Sequence, residues 1–137
     1  MSRAVVLDSE ALSLLARGRG SGFETVRAAL EAARRLGRDV VVPAVILAEL
    51  YRGPGLNQVV DGCLARESFV MVRDTDRDFA RFVGGVLAAA GAGSADLADA
   101  HVVAATVEWG GGVGLAGDDS DMRRLSSSYS NVDIVRV

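Results

Sequence analysis

The chain has little cysteine, little histidine and no lysine. Of its 137 residues, only one is cysteine and one is histidine. The single cysteine, Cys63, excludes an intramolecular disulfide and a cysteine-rich zinc site, and it is typical of a reducing compartment, so we expect a cytoplasmic protein. No apolar run reaches the roughly 18 residues that a membrane-spanning helix needs. The opening sequence MSRAVVLDSE soon becomes acidic and has no cleavage site, so we expect no signal peptide.

The absence of lysine excludes two classes of α/β protein. A phosphoacceptor receiver domain needs a late lysine, and a P-loop nucleotidase needs the lysine of its G-x-x-x-x-G-K-S/T loop. A haloacid-dehalogenase-type phosphatase is excluded as well, because DSEA after the first predicted strand lacks the Asp-x-Asp motif. All 15 basic residues are arginine. Arginine suits phosphate recognition, but an arginine-only chain rich in alanine and glycine is also typical of a GC-rich genome.

Composition indicates one folded domain. Half of the residues are apolar and 24% are charged, which is typical of a globular chain long enough for a single core. The net charge of −3 argues against a generally basic nucleic-acid-binding surface.

Short β-branched runs alternate with helical patterns along the whole chain. The predicted strands are residues 5–7, 39–43, 69–72, 113–116 and 132–135. The predicted helices are residues 10–17, 23–36, 44–51, 59–66, 76–90, 95–109 and 121–127. Continuous apolar strands with helices between them predict an α/β fold, with a central, mostly parallel sheet of about five strands and helices on both faces.

Four acidic residues each adjoin an apolar run. Asp8 closes AVVLD, Glu49 lies in VPAVILAEL, Asp99 opens DAHVVAAT, and Asp118 ends VGLAGD. Burying several carboxylates together is costly, because like charges repel and lose their water, and a divalent cation is the usual compensation. Ligands of parallel sheets bind beyond the carboxyl ends of the strands, where Asp8 and Asp118 are predicted to lie. The pattern therefore predicts a Mg²⁺ or Mn²⁺ site suited to phosphodiester cleavage.

Helix capping is the alternative explanation for the aspartates. Asp8 or Asp118 could each cap the helix that follows it, and Asp96 could be an N-cap with Asp99 at the third helical position. Glu49 lies inside a predicted helix, where capping cannot explain it, and its alternative is an exposed helix face. Asp96 and Asp99 are three residues apart and share a helix face, so one helix could offer two metal ligands. Asp118 and Asp121 have the same spacing.

Five segments together resemble a known family. VVLDSEAL, VPAVILAELYRG, DLADAHVVAAT, LAGDDSDMRRL and the closing VDIVRV look like PIN-domain ribonucleases. More narrowly, they resemble VapC-type toxins of type II toxin–antitoxin systems. The resemblance covers nearly the whole chain and implies a single PIN domain over residues 1–137. It also implies a Mg²⁺- or Mn²⁺-dependent endoribonuclease that hydrolyses RNA with an activated water, that forms a homodimer, and that a cognate antitoxin protein neutralises.

The resemblance also assigns roles to residues of this chain. It implies that the catalytic carboxylates are Asp8, Glu49, Asp99 and Asp118. It implies that the metal ligands are Asp8, Asp99 and Asp118, with Asp96 and Asp121 binding through water. The family commonly has threonine or serine near the positions of Ala116 and Gly117, whereas this chain has neither there. We therefore expect weaker metal binding, with Ser9 or Ser120 as possible substitutes.

Several arginines are candidates for contact with RNA. Arg17 and Arg19 in a Gly/Ser-rich loop, and Arg52 near Glu49, could bind RNA phosphates or simply be solvated. Arg123 and Arg124 follow Asp121 and could either orient the carboxylates or meet the substrate.

Four other residues are expected to be structural. His101 could act as a general base, but a core or helix-face role is the stronger interpretation. Cys63 is expected to be a small buried thiol. Tyr51 and Trp109 are expected in the core or at an interface, because aromatics are few and not interleaved with arginines.

Two other functions stay open at the level of sequence. A non-catalytic PIN-like module would use the same fold to hold RNA or a partner protein, and the missing hydroxyl near Ala116 supports it. A housekeeping RNA-processing nuclease would use the same chemistry as a toxin. An antitoxin reading frame immediately upstream would distinguish the toxin from the housekeeping enzyme.

Overall fold

The structure is a computed structural model that describes residues 3–137. Within these residues the chain forms five strands: β1 (Ala4–Leu7), β2 (Val40–Pro43), β3 (Val70–Arg73), β4 (Gly112–Ala116) and β5 (Val132–Arg136). The same residues form seven α-helices: α1 (Ser9–Arg17), α2 (Phe23–Arg35), α3 (Ala44–Leu50), α4 (Pro54–Arg66), α5 (Arg77–Ala89), α6 (Leu97–Glu108) and α7 (Ser120–Ser126). A short 3-10 turn, Ser94–Asp96, leads into α6.

All five strands form one parallel sheet in the order β3-β2-β1-β4-β5. The chain builds outward from β1 through β2 to β3, then returns to place β4 on the other side of β1. In the register, Val5 of β1 is paired with Val40 of β2 and with Val113 of β4. The strand order therefore reverses between β1 and β4, and the carboxyl ends of these two strands frame the crevice where such sheets bind ligands. The predicted fold class is confirmed, with a sheet that is wholly parallel.

Helices cover both faces of the sheet. On one side α1 packs against α2, α3 and α4, and on the other side α6 packs against α5 and α7. Helix α6 is buried without interruption from Ala100 to Thr106 and contacts β1, β2, β4 and β5. This central position explains why its sequence is apolar around the helix and lacks an amphipathic stripe.

The start of α4 differs from the sequence prediction. The sequence predicts that Gly53-Pro54-Gly55 ends the helix at residues 44–51 and that the next helix begins at residue 59. In the structure Pro54 is the first residue of α4 and Gly53 precedes it with φ 111°. Proline is favoured at the first helical position because its nitrogen needs no hydrogen-bond partner there and its φ is already helical. The prediction of this boundary was wrong.

Among residues 3–137, no helix is long and apolar enough to cross a membrane.

Candidate metal centre

Three carboxylates come together beside the switch point of the sheet. Asp96 ends the 3-10 turn, Asp99 lies in the first turn of α6, and Asp121 lies in the first turn of α7. One oxygen from each lies within 4.8 Å of the others. We call these three residues the carboxylate cluster. The i,i+3 spacing predicted for Asp96 and Asp99 is what brings both to one side of the start of α6.

Asp8 joins the two strands at the switch point. It is buried, it follows β1 directly, and it is the N-cap of α1. Its Oδ1 accepts the backbone N–H of Ala11 at 2.8 Å, and its Oδ2 accepts the backbone N–H of Gly117 at 3.0 Å. The second bond connects residues 109 positions apart. The capping interpretation is thus correct for one oxygen of Asp8, while the other oxygen holds the loop after β4 against the end of β1.

The charges around Asp99 show which acids are near one another. Burial is the main cause that raises the pKa of Asp99 from 3.8 to about 6, and neighbouring negative charges raise it further. Those neighbours are Asp8, Asp121, Asp96 and Glu49. Burial also raises the pKa of Asp8, against the lowering effect of its bonds to Ala11 and Gly117. The structure therefore brings five of the six predicted site acids into one electrostatic neighbourhood.

The donor set fits a hard divalent cation. The cluster offers only carboxylate oxygens, which Mg²⁺ and Mn²⁺ prefer, and neither histidine nor cysteine belongs to it. Within the described residues, no hydrogen bond to the Asp99 carboxylate is present, and one of its oxygens lies within 4.8 Å of an oxygen of Asp96 and of Asp121. Three converging carboxylates with one raised pKa are a place where a cation would relieve repulsion. The prediction that a divalent metal could be held here is consistent with this geometry.

Asp118 makes local hydrogen bonds and lies outside the carboxylate cluster. It is exposed, and its Oδ1 accepts the backbone N–H of Ser120 at 3.2 Å and the Ser120 hydroxyl at 3.0 Å. This local turn, which leads into α7, resembles the capping alternative. Asp118 does not belong to the carboxylate cluster, where Asp121 is the acid from this segment. Its assignment as a catalytic residue and metal ligand stays a prediction.

The alternative explanation for Asp96, which was helix capping, fails, and the one for Glu49, which was an exposed helix face, holds. Asp96 stands at the N-cap position of α6, but its side chain accepts no N–H of the helix. The capping-box alternative for Asp96 and Asp99 is therefore wrong. Glu49 lies exposed near the end of α3, as its alternative proposed, yet its charge still acts on Asp99.

Arg124 contacts the carboxylate cluster, whereas its neighbour Arg123 does not. Nη2 of Arg124 donates to Asp96 Oδ2 at 2.8 Å and lies 3.6 Å from Asp121 Oδ1. Arg123 donates instead to Asp119 at 2.5 Å and to the carbonyl oxygen of Ile134 at 3.0 Å. The two roles considered for these arginines were orienting the carboxylates and meeting the substrate, and the contacts of Arg124 fit the first.

The absence of a hydroxyl after β4 has a steric reason. A Cβ on residue 117 would lie 2.7 Å from Glu10 Cβ and 2.8 Å from Glu10 Cγ. Glu10 therefore occupies the space that a serine or threonine side chain at Gly117 would need. Its charge also raises the pKa of Asp8. Sequence reasoning missed Glu10 as a neighbour of the site, although its place two residues after Asp8, at the start of a helix, was a usable signal.

The two serines considered as substitutes lie close by. Ser9 is the first residue of α1 and is half-buried. Ser120 donates its hydroxyl to Asp118, one of the predicted site acids. Ser120 thus supplies a hydrogen bond to a carboxylate of this segment, but not to the carboxylate cluster.

The predicted RNA-binding arginines lie at the surface. Arg17 donates to the Ser13 carbonyl oxygen at 3.3 Å and lies 3.6 Å from Glu10. Arg52 donates to the Ala48 carbonyl oxygen at 2.9 Å, near the end of α3. Arg19 is exposed and has no ion pair within the described part of the chain. Of the three, Arg19 is the one whose guanidinium makes no hydrogen bond to another described residue.

Three of the four residues expected to be structural, His101, Cys63 and Trp109, are buried or packed against the core, while the placement of Tyr51 in the core or at an interface stays a prediction. His101 is buried, with Nδ1 2.8 Å from the Leu97 carbonyl oxygen and Nε2 3.1 Å from Thr75 Oγ1. Cys63 is a buried free thiol, and burial raises its pKa. The half-buried Trp109 donates to Asp39 at 3.1 Å, and Tyr51 donates to Asp61 at 2.5 Å.

The parallel sheet, its helical layers and the acids at its switch point define a PIN-like α/β protein. No sequence-family model and no curated protein matches this chain. The solved structures that share its fold include two crystal structures. One is the crystal structure of VapBC2 from Rickettsia felis bound to a DNA fragment from its promoter. Its matching chain is 14% identical in sequence to this chain, with a TM-score of 0.67 and 98% of each chain covered. FitAcB from Neisseria gonorrhoeae is 17% identical, with a TM-score of 0.59 and 96% of each chain covered. At such low identity the likeness establishes the fold alone, and the PIN-like fold predicted from the motifs is confirmed.

Proposed function

We propose that this protein is a divalent-metal-dependent endoribonuclease of the PIN type, acting as the toxin of a toxin–antitoxin pair. The observation that carries the proposal is the carboxylate cluster, which lies beside the switch point of a PIN-like sheet with Asp8 next to it. The likeness to the VapBC2 and FitAcB structures supports the toxin assignment, together with the motif resemblance. The extent of the domain (residues 1–137), a cytoplasmic location and a homodimer belong to the same proposal.

Each acid has a role in the proposed site. Asp99 would be the central ligand, because its carboxylate has no competing hydrogen bond within the described residues. Asp96 and Asp121 would complete the set, directly or through water. Asp8 would hold the ends of β1 and β4 in place through its two backbone bonds and contribute negative charge. A bound Mg²⁺ or Mn²⁺ would supply activation of water and neutralisation of charge on the scissile phosphate.

Glu49 and Asp118 extend the proposal to the rim of the site. Both are exposed, so both are accessible to a substrate or to hydrated metal. Arg19 is the strongest candidate for an RNA phosphate contact, since Arg17 and Arg52 are engaged with carbonyl oxygens near helix ends. The proposed partners are therefore an RNA substrate and a cognate antitoxin protein.

RNA cleavage by the purified protein tests the proposal. The assay compares Mg²⁺, Mn²⁺ and EDTA, with Asp99→Asn as the principal variant. Asp99→Asn is preferable to Asp8→Asn because the Asp8 carboxylate accepts two backbone N–H groups and its loss also perturbs the fold. Asp78→Asn is the matched control, since Asp78 is an exposed aspartate in the first turn of α5.

The expected result is cleavage by the wild type and by Asp78→Asn, and loss of cleavage in EDTA and in Asp99→Asn. Cleavage that persists in Asp99→Asn would contradict the catalytic assignment and indicate a contaminating nuclease. An upstream antitoxin reading frame would favour the toxin over a housekeeping RNA-processing nuclease.

A non-catalytic PIN-like binding module is the second candidate. The observation that favours it is the lack of a hydroxyl at Ala116 and Gly117, and at Gly117 Glu10 leaves no room for one. Such a module would bind RNA or a partner protein with the same affinity in EDTA as in Mn²⁺. RNA binding that depends on Mn²⁺ and on Asp99 would count against it.

A further inference from the structure

Arg124 lies between two members of the carboxylate cluster. A single guanidinium nitrogen, Nη2, is 2.8 Å from Asp96 Oδ2 and 3.6 Å from Asp121 Oδ1. Both of these oxygens belong to carboxylates that could hold a metal ion. We propose that Arg124 is a built-in counter-cation that competes with the divalent ion for Asp96 and Asp121, and so weakens metal binding by the cluster. This inference rests on the proposed function, because it concerns the same metal site.

The environment of the ion pair separates it from an ordinary surface salt bridge. The Asp96 side chain is only 13% exposed, whereas the Arg124 side chain is 48% exposed. Asp96 also stands at the N-cap of α6 without capping it, so its carboxylate is directed to Arg124 instead of to the helix. A nearly desolvated carboxylate needs a charged partner, and within residues 3–137 Arg124 is the side chain that donates to it.

Arg124, the other partner of this ion pair, can move away from the carboxylate cluster. Arg124 reaches the cluster from the solvent side through a long, flexible side chain, which can swing into water at low cost. A divalent ion bound by Asp96, Asp99 and Asp121 would repel a guanidinium at this distance. Metal binding would therefore exchange one cation for another, with Arg124 neutralising the acids in the metal-free protein.

The sign of the effect follows from these charges. Removing Arg124 leaves three carboxylates without their nearest cation and removes a positive charge that opposes the ion. Coulomb repulsion between a single and a double positive charge about 5 Å apart in water, screened at moderate salt, predicts a gain in affinity of about fivefold to tenfold. Higher salt should reduce the gain.

Arg123 provides a matched control. It neighbours Arg124 on α7, is 55% exposed, and pairs with Asp119, whose side chain is 17% exposed. Arg123→Gln therefore removes the same charge and a similar ion pair on the same helix, but not from the carboxylate cluster. A general effect of net charge would act on both variants equally.

The experiment is calorimetric titration of the full-length chain with Mn²⁺ at low and high salt. The expected result is a Kd that is about fivefold to tenfold lower in Arg124→Gln than in the wild type, and a Kd in Arg123→Gln within about twofold of the wild type. Equal Kd values in the wild type and Arg124→Gln would overturn the role of Arg124 and leave the metal site standing. Absence of Mn²⁺ binding in every variant would overturn the metal site as well.

A second measurement uses the unmodified protein, in case Arg124→Gln folds poorly. Arginine side-chain NMR signals are followed during titration with Mg²⁺, and Arg124→Lys identifies the Arg124 signal by its loss. Displacement predicts that the Arg124 signal shifts or broadens while the Arg123 signal does not. An Arg124 signal that is unchanged at saturating Mg²⁺ would contradict the proposal.

Discussion

Replacing Asp99 by asparagine should stabilise the metal-free protein at neutral pH. Burial and the nearby charges of Asp8, Asp121 and Asp96 raise the pKa of Asp99 to about 6 from 3.8. A raised pKa means that the folded state binds the proton more tightly than the unfolded state. The free energy of unfolding therefore falls as pH rises from about 4 to about 6, and the destabilisation then persists at higher pH.

The raised pKa of Asp99 sets the size of the expected gain in the free energy of unfolding. The rise of the Asp99 pKa from 3.8 to about 6, at about 1.4 kcal/mol for each tenfold change in proton affinity, gives about 3 kcal/mol as an upper limit. Because Asp99 is partly exposed, water screens part of this, and we expect about 1–2 kcal/mol. Asparagine keeps the size of the side chain and removes the charge. The midpoint Tm should then rise by roughly 3–6 °C at pH 7.5 and stay unchanged near pH 4.

Thermal and guanidinium unfolding in EDTA, at pH 7.5 and at pH 4, would measure this effect. Asp78→Asn serves again as the control and should change the Tm little at either pH. Adding Mn²⁺ at pH 7.5 should raise the Tm of the wild type but not that of Asp99→Asn. The electrostatic reasoning is refuted if Asp99→Asn destabilises the metal-free protein at pH 7.5, or if it has the same effect at both pH values.

Three further predictions concern the surroundings of the carboxylate cluster. Asp8→Asn should destabilise the protein by roughly 1–3 kcal/mol, because the single oxygen of an amide cannot replace both carboxylate oxygens that accept the N–H groups of Ala11 and Gly117. Guanidinium unfolding measures this loss, and an unchanged free energy of unfolding would contradict the observed bonds. Gly117→Ser should cost about 1–3 kcal/mol through overlap with Glu10, whereas Gly93→Ser, which meets open space, should be nearly neutral in the same assay. His101→Gln should lower the Tm but leave the pH profile of RNA cleavage unchanged, because His101 is buried and its ring contacts Leu97 and Thr75. Loss of the acidic limb of that profile would make His101 a general base.

The fold could be predicted largely from local patterns. Buried strands of β-branched residues and helices with an apolar face are properties of short segments, so their alternation indicated a parallel α/β sheet. The missed start of α4 shows the limit of such patterns. A Gly-Pro-Gly sequence is compatible both with the end of one helix and with the beginning of the next. Packing of the whole segment decides between them.

The sequence predicted that the candidate site would consist of carboxylates, but it did not predict which carboxylates would form the carboxylate cluster. Asp8 and Asp99 adjoin buried segments, so the sequence indicated that they would be desolvated. Asp118 and Asp121 are three residues apart on the same turn and helix, and both were reasonable ligands. Only the folded turn, in which Asp118 accepts hydrogen bonds from Ser120, leaves Asp121 as the acid that reaches Asp96 and Asp99.

The sequence by itself determined the α/β class, the strands and most helix boundaries, and the presence of acids at the sheet's carboxyl edge, because these depend on periodicity and on burial of short segments. Only the tertiary structure decided that Arg124, and not Arg123, meets the carboxylate cluster, and that Glu10 fills the space beside Gly117. Adjacent residues on a helix point about 100° apart, so which of them faces a site depends on how the helix is rotated against the rest of the fold. That rotation is set by long-range packing, which no local pattern encodes.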